Sequence, residues 1–229
     1  MNAVLFRSHG GPEVLEYADV PTPTPGPGEA VVRVKACSLN HLDLWIRQGI
    51  PAYQVTLPHI SGCDVAGIVE QVGAGVTTAQ PGARVFIAPG LSCFRCGWCR
   101  RGDDNLCETF GIFGAKTDGG YAEFAKARAG DLLPIPEGIS FEEAAAFPLV
   151  FLTAWHMLMT RARLAAGETA LVHAAGGGTG HAAVQIAKHA GATVFATVGS
   201  DAKIPKAKAL GADDVINYQR EDFVKRIQE

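Results

Sequence analysis

Two stretches of the chain differ in how apolar and polar residues alternate. Residues 1–130 contain short segments, such as AVVRVKA (30–36) and AGIVEQV (66–72), in which apolar residues recur partly at every second position. That spacing is typical of strands with one buried face. Runs rich in Pro and Gly, for example PTPTPGPGEA, separate these segments and indicate turns. The first stretch is therefore predicted to form a compact β-barrel-like domain.

A helical pattern begins at Ser140. Ser140 and Glu143 have the spacing of a capping box, in which each side chain accepts a hydrogen bond from the other residue's backbone N–H. Apolar helix formers follow them. Because proline lacks a backbone N–H, we expect Pro148 to divide or kink this helix.

Strand and helix patterns alternate along the rest of the chain. TALVHAA predicts a buried strand, GGGTGHAAVQIAKHAG a glycine loop entering a helix that ends at Gly191, and ATVFATV a second buried strand. A helix over 201–210, the short strand DVINY and the helical pattern EDFVKRIQE follow. The order predicts a βαβ unit with parallel strands. A doubly wound sheet normally has two such halves, so we expect a chain that is cut short.

Four of the six cysteines lie in one fifteen-residue segment, CFRCGWCRRGDDNLC. Cys93, Cys96 and Cys99 are spaced so that their thiolates can approach one cation, and the longer link to Cys107 lets the chain return with a fourth ligand. Clustered thiolates repel one another unless a cation neutralises them, and Zn²⁺ takes four such ligands.

Iron–sulfur ligation is the main alternative metal for this segment. In bacterial ferredoxins the fourth cysteine follows after three residues and precedes proline, whereas Cys107 follows after seven and precedes Glu108. Zinc is therefore favoured. Four cysteines leave no open coordination position, so we expect one structural zinc per chain, in a lobe at about residues 90–110.

The glycine loop is a candidate for binding a dinucleotide. Ala175, Gly177 and Gly180 form a variant of the G-x-G-x-x-G pattern between a predicted strand and a predicted helix. Glycines there allow backbone N–H groups and the helix N-terminus to face a pyrophosphate. The candidate cofactor-binding residues of the loop are Ala175, Gly176, Gly177, Gly178, Thr179 and Gly180.

The end of the second strand bears on the choice of cofactor. An acidic residue there favours NAD by binding the ribose 2′-OH. This chain has Gly199 and Ser200, with Lys203 nearby and Asp201 slightly late. Small and basic groups suit a 2′-phosphate, so NADPH is favoured and NADH remains possible.

Composition and charge narrow the function classes. The chain has 229 residues, 48% of them apolar and 19% charged, with a net charge of −3. Its basic residues are scattered, which argues against nucleic acid or an anionic membrane as partner. No apolar run is long enough for a signal peptide or a membrane span, so we expect a cytoplasmic protein acting on a small molecule. Reducing conditions there favour metal ligation by the clustered cysteines.

The cysteine lobe followed by the glycine loop resembles the medium-chain dehydrogenase/reductase superfamily, as do the segments GGPEVLEYADVPTPTPGPGEAVVRVKA and KALGADDVINY. The resemblance implies an α/β chain with an N-terminal GroES-like catalytic domain, at 1–130. A truncated Rossmann doubly wound parallel sheet would occupy 131–229. It also implies a homodimer or another homo-oligomer at full length.

Within this superfamily, the segments SLNHLDLWIRQG, SGCDVAG and FPLVFLTAWHML resemble the quinone oxidoreductase branch, which needs no catalytic metal. The resemblance implies that Asn40 lies near substrate and nicotinamide, and Thr153 near the nicotinamide. It places Ser200, Lys203 and Tyr218 near the adenosine phosphate.

The leading interpretation is hydride transfer from NADPH to a quinone or an α,β-unsaturated carbonyl. A zinc alcohol dehydrogenase is the enzymatic alternative, with Cys37, Cys63 and Asp64 holding a catalytic zinc. A further alternative is a non-catalytic fragment that binds nucleotide weakly or not at all.

Four other side chains are candidates for a metal site or a substrate pocket. His41 and His59 lie near enough in sequence to join a catalytic metal site. Trp45 and Tyr53 are candidates for lining an apolar substrate pocket.

Overall fold

The computed structural model describes residues 1–51 and 54–228. The chain divides into two compact units: the first is Met1–Leu149, and the second begins at Val150. The two units are described separately below. Tyr53 lies outside the described residues.

Short strands form most of the first unit. Its strands are β1 (Asn2–Leu5), β2 (Glu16–Asp19), β3 (Glu29–Ser38), β4 (Asp64–Val72), β5 (Arg84–Ile87), β6 (Gly90–Leu91), β7 (Gly111–Ile112), β8 (Phe124–Arg128) and β9 (Leu132–Pro134). Its helices are α1 (His41–Gln48), α2 (Gly97–Arg100) and α3 (Phe141–Ala146), with 3₁₀ turns at Pro12–Val14, Asp104–Leu106 and Ala129–Asp131.

A five-stranded antiparallel sheet forms the centre of this unit, in the order β8-β3-β4-β5-β9. This sheet, with the loops and helices of Met1–Leu149 that pack on it, is called the barrel below. β3 and β4 contain the two strands predicted from alternation, and Val32, Val65 and Val69 bury their side chains in one hydrophobic core. The two strands approach closely at Gly67, where a Cβ atom would lie 2.2 Å from the carbonyl oxygen of Arg33.

The predicted helix start at Ser140 is confirmed. The Ser140 N–H donates to Glu143 Oε2 at 2.8 Å, and the Glu143 N–H donates to Ser140 Oγ at 3.1 Å. The predicted break is confirmed too, because α3 ends at Ala146 and α4 (Pro148–Trp155) begins at the proline. A π-helix at His156–Arg161 follows.

The first unit extends beyond residue 130, the boundary predicted from the sequence. β9 completes the sheet by pairing with β5. α3 buries Ala144 and Ala145 against Ala66 of β4. Residues 131–149 therefore pack with the barrel, and the structure divides the chain after Leu149.

The second unit contains the predicted alternation of strands and helices. Its elements are β10 (Thr169–Val172), α5 (Gly178–His189), β11 (Thr193–Val198), a 3₁₀ turn at Asp201–Lys203, α6 (Ile204–Ala209), β12 (Asp214–Asn217) and α7 (Phe223–Gln228). The sheet is parallel in the order β10-β11-β12, with Val172 opposite Ala196 and Val198 opposite Asn217. Small side chains such as Ala182 and Ala187 bury α5 on this sheet. The predicted α/β class and the parallel sheet are confirmed.

Across residues 1–51 and 54–228, the structure contains no helix with the length and apolar character that a membrane crossing requires.

We expect Gly67→Ala to lower the free energy of unfolding by about 2 kcal/mol or more, because the added methyl group would collide with backbone rather than with a movable side chain. Gly130→Ala is the matched control, since a Cβ atom there meets no atom within 4 Å. Urea unfolding of both variants measures the difference. Equal midpoints would contradict the close approach of β3 and β4.

Candidate functional site

The four clustered cysteines lie in a lobe between β6 and β7. Their Sγ atoms are all within 4.8 Å of one another. Cys99 Sγ lies 3.5 Å from Cys96 Sγ and 3.9 Å from Cys93 Sγ. Four thiolates around one zinc, with Zn–S distances of about 2.3 Å, lie about 3.8 Å apart. The donor set therefore fits a tetrahedral zinc with no open position.

Backbone N–H groups point at these sulfur atoms. The N–H groups of Cys93 and Thr109 donate to Cys107 Sγ at 3.3 and 3.4 Å, and the Cys96 N–H donates to Cys93 Sγ at 3.3 Å. The hydrogen bond from Cys93, with that from the Thr109 hydroxyl, lowers the pKa of Cys107 to about 6. Such bonds stabilise thiolates, which is the form that binds zinc.

Cys99 shows the opposite shift. Removal from water, with the adjacent sulfur of Cys96, raises the pKa of Cys99 to about 11. The pKa shifts of Cys107 and Cys99 therefore run in opposite directions within one cluster. Clustered thiolates repel one another. A bound cation that displaces the remaining thiol protons would remove this repulsion.

Arg128 connects the lobe to the barrel. Its Nε and Nη2 donate to the two carboxylate oxygens of buried Asp131 at 2.8 and 3.0 Å, and Nη1 donates to the Ser92 carbonyl at 2.5 Å. The guanidinium also lies 4.8 Å from the centre of the Phe94 ring. Arg128 therefore contacts both Ser92 and Phe94, the residues on either side of Cys93.

A second polar centre is buried in the barrel around Asp64, which is 1% exposed. Asp64 Oδ2 accepts hydrogen bonds from Asn40 Nδ2 at 2.7 Å and Ser38 Oγ at 3.0 Å. Its other oxygen accepts the Leu149 N–H at 2.8 Å. Burial raises the pKa of Asp64, and the bonds from Asn40, Leu149 and Ser38 oppose that shift. Both carboxylate oxygens are engaged by the chain itself.

Asp43 forms a companion centre beside it. Asp43 Oδ2 accepts the Asn40 N–H at 2.7 Å and the Tyr121 hydroxyl at 2.8 Å. Its Oδ1 accepts the Gly62 N–H at 3.1 Å and lies 3.7 Å from Cys63 Sγ. Loss of water contact, followed by the charge of Asp43, raises the pKa of Tyr121 far above its ordinary range. Asp43 therefore ties α1 to two other loops of the barrel.

Sequence reasoning missed α1, Asp43 and Tyr121. A signal for α1 was present, because Asn40 is a favoured N-cap residue and Asp43 stands three positions later, where it can accept the N-cap N–H. Nothing in the sequence pattern pointed to Tyr121, whose partner is 78 positions away.

The candidate catalytic zinc ligands Cys37, Cys63 and Asp64 each have other neighbours in this arrangement. Cys37 packs with the core of the sheet and lies against Gly120, whereas Cys63 packs in a different cluster with Leu42. Burial, with the nearby Asp43 charge next, raises the pKa of both thiols far above neutral. Among the described residues, the ligand atoms that converge as a metal site are those of Cys93, Cys96, Cys99 and Cys107.

The two candidate histidines are engaged elsewhere. His59 is buried and its Nε2 lies 2.9 Å from the Gly114 carbonyl oxygen. His41 is exposed and packs edge-on against Trp45, with ring centres 4.8 Å apart. Trp45 itself is 44% exposed.

The glycine loop follows β10 and leads directly into α5. Gly177 is the N-cap of α5. A Cβ atom on Gly180 would lie 2.3 Å from the Ala174 carbonyl oxygen, so the helix approaches the strand too closely for a side chain. Ala174, with φ of 54°, makes the left-handed turn, and Ala175 is buried. Gly176 to Gly178 are exposed, as a backbone surface for a pyrophosphate requires.

Three residues expected near the adenosine phosphate lie at the carboxyl end of the parallel sheet. Lys203 reaches the loop, because its Cδ lies 2.8 Å from the position of a Cβ atom on Gly176. The Tyr218 hydroxyl similarly lies 2.6 Å from the Cβ position of Gly199. Ser200 precedes the 3₁₀ turn that contains Lys203. Thr153 lies in α4 and is exposed.

A GroES-type barrel with a four-cysteine lobe, and a parallel sheet that begins with a glycine loop, define a dehydrogenase class. Residues 26–137 match the family model of the alcohol dehydrogenase GroES-like domain, and residues 178–229 match that of zinc-binding dehydrogenases. The chain belongs to the medium-chain dehydrogenase/reductase superfamily, as the resemblance predicted.

Proteins similar to this chain include quinone oxidoreductases and alcohol dehydrogenases. Rat quinone oxidoreductase is 35% identical over the whole chain, which covers 62% of that protein. Alcohol dehydrogenase of Geobacillus stearothermophilus is 39% identical over 94% of the chain and 64% of its own length. A solved NAD-dependent alcohol dehydrogenase is 50% identical, with a TM-score of 0.96 over 100% of this chain and 66% of that one. The chain thus spans less than two thirds of each relative.

We expect one zinc per chain, and we expect Cys107→Ser to reduce the zinc content sharply because it removes one of four ligands. Cys37→Ala is the matched control and should retain the zinc, since Cys37 belongs to the core of the sheet. Elemental analysis of the purified proteins measures both. Full zinc content in Cys107→Ser would contradict the assignment.

Proposed function

We propose that the chain is part of an oxidoreductase that transfers hydride from NADPH to a quinone or an α,β-unsaturated carbonyl, with a structural zinc and no catalytic zinc. One observation carries the proposal. Both oxygens of Asp64 accept hydrogen bonds from Asn40, Ser38 and Leu149, and the two nearby thiols pack in separate clusters. The barrel centre is thus built from hydrogen bonds rather than from a convergent ligand set.

The proposed acceptors suit such a centre. A zinc Lewis acid polarises the oxygen when alcohols and carbonyls interconvert. A quinone or an enone is already electron-poor, so orientation and hydrogen bonding by the protein carry more of the task. Nicotinamide, when bound, would supply the hydride.

Asn40 is the proposed orienting group. Its backbone N–H and its side-chain Nδ2 are fixed by two different carboxylates, Asp43 and Asp64, each at 2.7 Å. Because an amide nitrogen carries two hydrogens, Asn40 can hold Asp64 with one and donate the other to a substrate oxygen. Thr153 is proposed, from the resemblance alone, to lie near the nicotinamide.

The nucleotide is proposed to bind along the glycine loop. Backbone N–H groups at the start of α5 would face the pyrophosphate. Lys203, Ser200 and Tyr218 would surround the adenosine phosphate, which supports NADPH over NADH.

An NAD-dependent alcohol dehydrogenase is the second candidate function. The 50% identity to a solved enzyme of that description favours it. Such an activity would require a metal at the barrel centre, with rearrangement of the bonds around Asp64.

Assembly and cellular location stay predictions from the sequence. We propose a small-molecule substrate, a homodimer or another homo-oligomer, and a cytoplasmic location.

We expect Asn40→Ala to lower kcat/KM for quinones or enals at least tenfold, because a positioned hydrogen-bond donor is lost. Nucleotide affinity should persist, since the glycine loop is untouched. Asn105→Ala, at an exposed position of the cysteine lobe, is the control and should retain full activity. Steady-state kinetics measure the change. An unaltered rate in Asn40→Ala would remove Asn40 from the reaction.

A metal count separates the two candidate functions. We expect one zinc per chain, with quinone or enal reduction that survives when chelators remove only weakly bound metal. A second metal, whose removal abolishes alcohol oxidation, would instead establish the dehydrogenase. A screen of quinones, enals and alcohols against NADPH and NADH, combined with elemental analysis, gives both answers.

A further inference from the structure

The side chain of Thr197 contacts the glycine loop from the neighbouring strand. Thr197 lies in β11 and is 1% exposed. Its Oγ1 accepts the Ala174 N–H at 3.2 Å, and its carbonyl oxygen accepts the Ala175 N–H at 2.9 Å. One residue of the second strand therefore holds two successive peptide groups at the start of the loop.

Ala174 has a strained backbone conformation. Its φ of 54° lies in the left-handed region, which is unfavourable for a residue with a Cβ atom. Such a conformation persists where the surrounding contacts hold it in place. The hydrogen bond from the Ala174 N–H to Thr197 Oγ1 is a contact of this kind.

The Ala174 peptide also determines where α5 begins. Its carbonyl oxygen accepts the Gly177 N–H at 2.9 Å, and Gly177 is the N-cap of α5. Gly180 packs against the same oxygen, at the close approach described above. The backbone direction at Ala174 therefore fixes the N–H groups that are proposed to face the pyrophosphate.

Burial in the sheet does not by itself account for a threonine here. The other buried residues of β11 are Val194, Ala196 and Val198. A valine has nearly the shape of threonine and would bury no polar atom. The hydroxyl has one hydrogen and two acceptor positions, so Thr197 Oγ1 can accept from Ala174 and share its hydrogen with His173 Nδ1, 3.2 Å away. Both partners of the hydroxyl lie at the start of the loop.

Building on the proposed function, we propose that Thr197 is a positioning residue for nucleotide binding, which holds the left-handed turn at Ala174 and so presents the loop backbone to the pyrophosphate.

The first test replaces the hydroxyl and leaves the shape. NADPH and NADH are titrated by fluorescence, and the Kd of the nucleotide that binds the unaltered chain more tightly is followed. In Thr197→Val we expect this Kd to rise about fivefold, because a hydrogen bond that preorganises the loop is lost. Thr197→Ser keeps the oxygen and should stay within about twofold. Thr193→Val is the matched control, since it removes an exposed hydroxyl at the start of the same strand.

The second test relieves the turn instead of holding it. Glycine adopts a positive φ without a steric penalty. We therefore expect Ala174→Gly, added to Thr197→Val, to bring the Kd back to within about twofold of that of the unaltered chain. If Thr197 served only to pack the sheet, this glycine would restore nothing, and the double variant would bind as weakly as Thr197→Val alone.

Thermal unfolding of each variant checks that the second unit remains folded. If Thr197→Val does not fold, Thr197→Ala and Thr197→Ser provide the same comparison, because they differ only in the hydroxyl oxygen. The Kd of the alanine variant should then be about fivefold higher than that of the serine variant.

The possible results distinguish the two proposals. An unchanged Kd in Thr197→Val, an equal rise in Thr193→Val, or a double variant that is not rescued overturns the role of Thr197 while nucleotide binding stands. Failure of the unaltered chain to bind either nucleotide contradicts the proposed function, and the positioning role falls with it.

Discussion

A carboxylate that is withdrawn from water must be surrounded by donors, and this requirement organises the barrel centre. Asp64 collects Ser38 at the end of β3, Asn40 at the start of α1 and the Leu149 N–H at the start of α4. Leaving one of these donors out would leave a buried charge poorly satisfied, which is far more costly than any single bond is favourable. Three separate segments are thereby fixed relative to one side chain.

The elements that the sequence predicts are those that local pattern specifies. Alternation marked β3 and β4, the Ser140 capping box marked α3, and Pro148 marked the break before α4. The cysteine spacing was also enough to predict that the four sulfur atoms of the lobe converge, because short links limit where these atoms can lie. In each case the physical cause acts over a few residues.

Other features arise from contacts between distant residues, and local pattern is silent about them. Tyr121 meets Asp43 only because β3, α1 and the loop before β8 are brought together by folding. The chain divides after Leu149 because β9 and α3 pack on strands that precede them by many residues. Likewise, the turn of the glycine loop falls at Ala174 because close packing at Gly180 decides the backbone path there.

Arg128 connects the cysteine lobe to the rest of the barrel through hydrogen bonds to Ser92 and Asp131. The lobe is organised around its sulfur atoms, while its connection through Arg128 reaches Asp131, beside the edge strand β9. Release of the proposed zinc would therefore open a local cooperative unit and leave the hydrogen-bonded sheet intact. Under the proposal of a structural zinc, a chain that lacks the ion would open one loop on an otherwise folded sheet and would rebind the metal without refolding.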